Sequence, residues 1–446
     1  MFIDYTYQDW LAAEDRSALI IDAIHRYRSS AEFRRALEAN VYYLGENTTV
    51  RRKTILRAHK IETRDENGRR RVRTAAKDVV GNRIASGFLG RLVSQQNHFL
   101  LGNGCTVDGH SAASLLGRDF DAILEQLGKH AILQGVSYGF WNVDHLELIE
   151  AAVDPDSGFF SLLDEMTGEM HVGIQFWRLA PGRAMYVRVF EEDGVTTLRR
   201  EDNRLVIVTD KTPYLIRFRR DALGIQVVSA DHYGSLPIIP LFGNAERTSA
   251  LTTAIRSKID AYDNILSDLA DNLDRANDVY WVLNNFGGTT DDVAELLEQI
   301  NRIKAVANIS DGTGAASTAE PHTIQVPYEA RCAALSLLEK ALYADFMGLN
   351  TSELTGGSLT NVAIQAATAN LNLKADQYEW QVFLFMQKLL RLLGRDTDAI
   401  RFKRAAIGNY SETVADIAKM RSDIDQRTAL TLNPYLQVEE VERLCQ

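Results

Sequence analysis

Three stretches of this 446-residue chain carry residue types at spacings that could do chemistry. Gly135-Val136-Ser137-Tyr138-Gly139 satisfies the GxSxG pattern, in which a strained turn presents a serine nucleophile. That use of Ser137 needs a strand before the serine and a helix after it. Here residues 119–134 are expected to be helical and 140–148 extended, so the order is reversed and a tight turn packing small residues is favoured. Asp154-Pro155-Asp156-Ser157-Gly158 opens like a calcium loop, with Glu165 at the twelfth position. Pro155 in second place, and Phe159 and Phe160 inside the loop, point instead to a β-turn. Gly312-Thr313-Gly314-Ala315-Ala316-Ser317 follows a strand-like run at 305–309, but Pro321 intervenes before any helix, which fits a flexible linker better than a dinucleotide loop. No GxxxxGK[ST] occurs, so ATP hydrolysis of the P-loop class would have to come from a partner. The nine histidines lack HxxxH or Cys/His spacing, and neither a metal nor a cofactor is expected. The expectation is a protein without catalysis; the rival is an α/β hydrolase using Ser137.

Bulk properties narrow the class further. Hydrophobic residues at 46% and charged residues at 24% are ordinary for a globular chain, and the length calls for two or more domains or one elongated subunit. A net charge of -11 argues against an open groove that grips nucleic acid through many phosphates. Cys105, Cys332 and Cys445 are odd in number and form no CxxC pair, which fits a reducing compartment. No run of about 18 uncharged apolar residues occurs, so neither secretion nor a membrane span is expected.

The positioning elements follow from periodicity. Residues 13–44 have apolar positions at helical spacing and stop at Gly45. Arg51-Arg52-Lys53 and Arg69-Arg70-Arg71 with Arg73 flank the turn signal Asp65-Glu66-Asn67-Gly68, predicting a basic hairpin or mobile loop. Such a run either meets nucleic acid or an acidic partner, or is a solvated charge run. Residues 140–242 are β-rich, closing on Leu236-Pro237-Ile238-Ile239-Pro240, whose prolines confine it to an edge or connector. A boundary is expected near 245.

The clearest signal is Ile255, Ile259, Tyr262, Leu266, Leu269, Leu273, Ala276 and Tyr280, stepping by fours and threes: one long helix with a narrow apolar seam. Asp260, Asp263, Asp268, Asp271, Asp274 and Asp278 are assigned to its other, polar faces. Residues 286–326 are expected to be a small α/β excursion, with 291–303 helical. Pro327 should open a second helix through Leu335, Leu338, Leu342 and Phe346, stopped by Gly348. After a loop ending at Gly356-Gly357 comes a long helix to Gly394, with Ala363, Ala366 and Ala367 leaving room for close neighbours. Ile400-Arg401-Phe402 is strand-like, and charged helices follow, one breaking at Asn433-Pro434.

Five phrases in this order resemble the portal family of tailed double-stranded DNA bacteriophages, of the long-tailed type. They are Tyr42-Tyr43-Leu44-Gly45-Glu46; Phe99-Leu100-Leu101-Gly102-Asn103-Gly104; Leu236 to Phe242; the stem-like Ile259 to Asp271; and, loosely, Asn361-Val362-Ala363-Ile364 after a glycine-containing loop. The resemblance implies a mixed α+β, helix-rich subunit with wing, stem, clip and crown that closes into a ring, twelve-fold in the virion. It implies a wing over 1–245, stem helices at 246–280 and 327–347, a clip at 281–326, a tunnel loop at 348–358, a wing and crown helix at 359–395 and a crown at 396–446.

The same resemblance implies roles. Asn350, Thr351, Ser352, Glu353, Thr355, Gly356 and Gly357 would face DNA in the tunnel, without reading its sequence. Phe286, Asp291, Asp292, Glu295 and Glu298 would form the clip surface for partners. Ile259, Tyr262, Leu266, Leu269 and Leu273 would pack the stem. The implied partners are further copies of the chain, the large terminase subunit, a head-completion or tail adaptor, scaffold and major capsid protein, and passing double-stranded DNA. The implied location is the virion's portal vertex, with assembly in the host cytoplasm. An acidic conduit suits translocation, because a basic lining would hold phosphates in a salt-dependent grip. A non-channel phage structural protein is the second rival.

Overall fold

The computed structural model describes residues 4–64, 70–221, 224–276, 280–284, 318–322, 327–354, 360–405, 410–433, 435–436 and 443–444. The chain divides into two units: Met1–Gly45, Gly87–Arg256 and Leu342–Gln446 form the first, Glu46–Ser86 and Ser257–Ala341 the second. The fold is mixed α/β.

In the first unit, six antiparallel strands run as a meander in chain order, from Ala152–Asp154 through Ser157–Leu163, Met170–Arg178, Met185–Glu191 and Gly194–Glu201 to Arg204–Thr212. Alternation sets the inner face: in Met185–Glu191, Met185, Val187 and Val189 are buried while Tyr186 and Arg188 between them are only partly so. Helices Arg16–Ser29 and Ala31–Tyr43 cover that face with Ile20, Ile24, Tyr27 and Phe33 against Phe160, Ile174 and Phe176. The Tyr27 ring lies 5.0 Å from both Phe33 and Phe160, and its hydroxyl donates to the Ala151 carbonyl at 2.9 Å, so the aromatic cluster leaves no polar orphan.

The single helix expected over 13–44 is two. Ser30 takes extended backbone (φ -69°, ψ 153°) and its hydroxyl accepts from the Phe33 amide at 3.1 Å, so a capping serine breaks a run that the apolar pattern alone carries through. The stop holds, with Gly45 at φ 78°.

A three-stranded sheet orders Ile238–Phe242, Val136–Asn142 and His145–Glu150. Pro240 stands opposite Tyr138 on the edge strand, where a missing amide donor costs nothing to a further neighbour. The helices Phe88–Leu101, Phe120–Gln134 and Asn361–Leu392 meet at Gly128, where a Cβ would fall on the Tyr378 hydroxyl and the Asn97 carboxamide. Tyr378 donates to Asn97 Oδ1 at 3.1 Å, so the close approach is also a buried hydrogen bond. The strand Ile400–Phe402 pairs with Cys105–Val107.

In the second unit, Thr54–Arg64 and Arg70–Val80 pair antiparallel in unbroken register from Thr54↔Val80 to Arg64↔Arg70, as the turn signal predicted. The long acidic helix spans Thr253–Ala276, later in starting than 246 and shorter than the seam suggested; Tyr280 lies in a strand, Tyr280–Asn284, opposite His322 of Thr318–His322. The helical and strand expectations within 286–317 fall outside the described residues. The next helix is Tyr328–Phe346, and its last residues, from Leu342, belong to the first unit.

Candidate functional site

Two polar assemblies stand out, one in each unit. In the second, the helix Thr253–Ala276 does not leave all of its carboxylates in water. Asp263 and Ser267 are wholly buried and Asp271 is 4% exposed. They hold residues 82–86, which have no regular structure of their own. The Ser86 amide donates to Asp263 Oδ1 at 2.9 Å, the Ile84 amide to Ser267 Oγ at 3.0 Å and the Asn82 amide to Asp271 Oδ1 at 2.8 Å. Alternate residues of an extended chain are roughly 6.6 Å apart and residues four apart on a helix about 6 Å, so the two repeats stay in step over three rungs. The helix thereby serves the extended chain as a neighbouring strand would.

Further bonds lock the flanks. Asn47 Nδ2 donates to Asp263 Oδ2 at 2.8 Å, Asn82 Nδ2 to Asp274 Oδ2 at 2.8 Å, and Lys53 Nζ to Asp268 Oδ1 at 2.6 Å. Gly81 leaves room for the Asp271 carboxylate: a Cβ there would lie 2.7 Å from Asp271 Oδ2 and would have to displace it. Burial pushes the Asp263 carboxyl above its ordinary range, against the hydrogen bonds from Ser86 and Asn47. The sequence expectation that Asp263 and Asp271 lie on a solvated face is therefore corrected. Serine at 267, four residues from each aspartate, is the signal that could have revealed the ladder.

In the first unit, the helix Tyr328–Phe346 is stopped by Met347, which takes φ 61°, rather than by Gly348 as predicted. The Gly348 amide closes onto the Tyr343 carbonyl at 2.8 Å. The following turn is clamped at its base. Gln95 Nε2 donates to the Leu349 carbonyl at 2.9 Å, and the Leu349 amide donates back to Gln95 Oε1 at 2.8 Å. Lys374 Nζ donates to the Phe346 carbonyl and sits 3.1 Å from the centroid of the Phe346 ring. Burial pushes the Lys374 ammonium down to about 7. Asn350 Oδ1 accepts from the Ser352 amide at 3.1 Å and from its hydroxyl at 2.7 Å, opening the 3-10 turn Thr351–Leu354. Beyond it, Thr360 caps Asn361–Leu392, and Glu412 accepts from the Asn361 amide at 2.7 Å, a carboxylate at the positive end of a helix.

Of the residues singled out in the sequence, Asn350, Thr351 and Ser352 thus share one polar turn, and Glu353 continues it in backbone only; Thr355, Gly356 and Gly357 lie outside the described residues. So do Phe286, Asp291, Asp292, Glu295 and Glu298. Ile259 and Leu269 are buried, Tyr262 and Leu266 partly so, and Leu273 is 50% exposed. Gln95 and Lys374 were not anticipated: a glutamine and a lysine on helices look like ordinary surface positions until the turn they hold is known.

Two of the three candidate motifs dissolve. Ser137 is no turn residue; it lies in the strand Val136–Asn142, fully buried, its hydroxyl donating to the Leu127 carbonyl at 2.7 Å. Only Gly135 turns, at φ 89°. Asp154 caps a hairpin turn, accepting from the Asp156 amide at 2.7 Å and the Ser157 hydroxyl at 2.9 Å, while Glu165 accepts from the Thr6 hydroxyl at 2.8 Å. The glycine-rich 312–317 lies outside the described residues. Among the described residues no His, Cys, Asp and Glu cluster could hold a metal ion, and no helix is long and apolar enough to cross a membrane.

Comparison with known proteins gives these assemblies their context. The profile of the family described as "Phage portal protein, SPP1 Gp6-like" matches residues 22–445. The portal protein of Clostridium phage phiCD119 is 28% identical over 230 residues, which are 49% of this chain and 50% of that protein. The portal protein of Bacillus phage SPP1 is 28% identical over 226 residues, 47% of this chain and 43% of that one. The chain thus matches about half the length of these curated relatives. With a family profile spanning nearly its whole length, the chain belongs to the SPP1 Gp6-like phage portal protein family.

Proposed function

We propose that the chain is the ring subunit of a phage portal vertex: a structural protein of the capsid that forms the conduit for DNA during packaging and ejection and performs no catalysis. The observation that carries this beyond family membership is the long helix Thr253–Ala276, whose seam is covered at Ile259 but half exposed at Leu273. A stripe left open at one end is completed when neighbouring subunits pack along it, and a closed ring supplies such neighbours to every copy.

In this reading the helices within 246–280 and 327–347 form the stem, 281–326 the clip, and 348–358 the tunnel loop. The clip, through Asp291 and Asp292, docks the large terminase subunit and later a tail adaptor, and the ring sits among scaffold and major capsid proteins. The clamp of Gln95 and Lys374 supports a loop that is fixed at its base while its tip meets DNA sterically. The first test is negative-stain imaging of the purified protein, with its mass in solution. Rings whose hole admits duplex DNA are expected; monomers at every concentration and salt would overturn the proposal. In rings, Glu353→Lys should slow packaging; unchanged packaging would remove the loop from contact with DNA.

A further inference from the structure

The helix Asn361–Leu392 is 32 residues long, about 48 Å from end to end. One side of it belongs to the core of the first unit, where Ile364, Leu371, Ala375, Tyr378, Val382 and Phe385 are buried. A second apolar line runs along the opposite side. Val362, Ala366, Ala369, Leu373 and Trp380 step by four, three, four and seven, which keeps them within about 60° of arc. All five are exposed, Val362 to 74%, Leu373 to 56% and Trp380 to 59%. The Trp380 ring stacks on Phe383, with centroids 5.4 Å apart and planes 14° from parallel. The charge on this line is Asp376, and Arg404 neutralises it at 2.5 Å.

A surface helix with one covered side carries polar residues on the other; apolar residues on two opposite sides ask for cover on both. Steps of three and four are matched by another helix, whose side chains fit between them. The alanines at 366 and 369 let that helix approach closely. From Val362 to Trp380 the line is about 27 Å long and about 10 Å wide, hence roughly 270 Å² in projection. That is about a third of the ~800 Å² that each side of a stable two-body interface buries, so the line is one strip of a wider contact and not a dimer interface by itself. A neutral apolar strip offers nothing to a phosphate backbone. A ring, by contrast, sets a further copy of the chain beside every subunit and covers the same strip on each. We propose that the strip from Val362 to Trp380 is a contact between neighbouring subunits, covered by a helix of the adjacent copy, with Trp380 as its anchor. This rests on the ring reading above.

Two measurements on the full chain test it. Hydroxyl-radical footprinting read by mass spectrometry compares Trp380 oxidation in wild-type monomers and in assembled rings, and oxidation should fall severalfold on assembly. Equal oxidation in both would overturn the proposal, and so would a Trp380 already protected in monomers, because its cover would then lie within the chain. Mass photometry then follows subunit affinity in variants. Leu373→Lys with Trp380→Lys should weaken assembly roughly tenfold or more, and Leu373→Ala with Trp380→Ala should weaken it less. Asn370→Lys, exposed on the same helix but off the line, should leave it unchanged. All three should keep the wild-type circular dichroism, because the substituted side chains stand outside the core; if the lysine pair misfolds, the alanine pair and the footprint decide. Rings formed by the lysine pair at wild-type concentrations would overturn the strip and leave the ring reading standing. A wild-type chain that forms no rings at any concentration would overturn both.

Discussion

The two units are held together by different forces. In the first, helices 16–29 and 31–43 lay Tyr27 and Phe33 on Phe160 and Phe176, and the stabilisation comes from apolar area that works in almost any side-chain geometry. In the second, an extended stretch is held to a helix by directed bonds to Asp263, Ser267 and Asp271, where a displacement of one residue breaks every rung at once. The first kind of contact tolerates change in proportion to volume; the second fails by satisfaction or loss of individual groups.

This contrast can be broken at its strongest point first. Phe176→Ala removes a fully buried ring, and denaturant unfolding should show a loss of about 3–5 kcal/mol, most of it from the emptied core. A loss below about 1 kcal/mol would mean that the cluster relaxes and the contrast is overdrawn.

Next in size, Asp263→Ala leaves the Ser86 amide and the Asn47 amide group without an acceptor, at a cost of about 1–3 kcal/mol. Asp263→Asn keeps one carbonyl oxygen for Ser86 and removes a buried charge, so it should cost clearly less than alanine despite facing the Asn47 amide. The same chemistry fixes a sign with pH. Because burial raises the Asp263 carboxyl, the folded chain takes up this proton before the unfolded chain does. Its contribution to stability therefore falls as pH rises from the ordinary carboxyl range through the raised folded value. The advantage of wild type over Asp263→Asn in urea midpoint should therefore be larger below that window than above it.

The smallest effect sharpens the comparison from the other side. Lys374 titrates near 7 when folded and at 10.5 when free, so the unfolded chain binds the extra proton between those values and stability should rise with pH across them. Lys374→Met should flatten that rise while leaving the melting temperature at about pH 7 little changed, because the donor to Phe346 is lost as the cost of burying an ammonium disappears. A rise that survives the substitution would assign the pH dependence to another group.

Much of the architecture was legible in the sequence. The β-rich texture across 140–242, the turn signal at Asp65–Gly68 and the seam beginning at Ile255 and Ile259 each come from repeats of two or three-to-four residues, which record burial directly. What was hidden depends on single polar groups. Ser30 breaks a helix by offering a cap, Met347 accepts a left-handed backbone where glycine was the natural choice, and Ser137 sits in a strand because only Gly135 is needed to turn the chain. The aspartates of the long helix share the period of a solvated face, and nothing in that period tells whether water or an amide stands opposite. The residues proposed to meet partners were named through family resemblance, since exposed loop and tip positions leave no periodic trace.

The three-rung ladder also has a mechanical meaning. Residues 82–86 run antiparallel to the helix they are bound to, and the rungs lie across its axis. A pull along that axis loads all three bonds together, in shear, whereas a pull away from the helix opens them singly, like a zipper. The joint is stiff in one direction and compliant in the other, so any element tethered through residue 81 can swing outward at low force yet resists sliding along the helix.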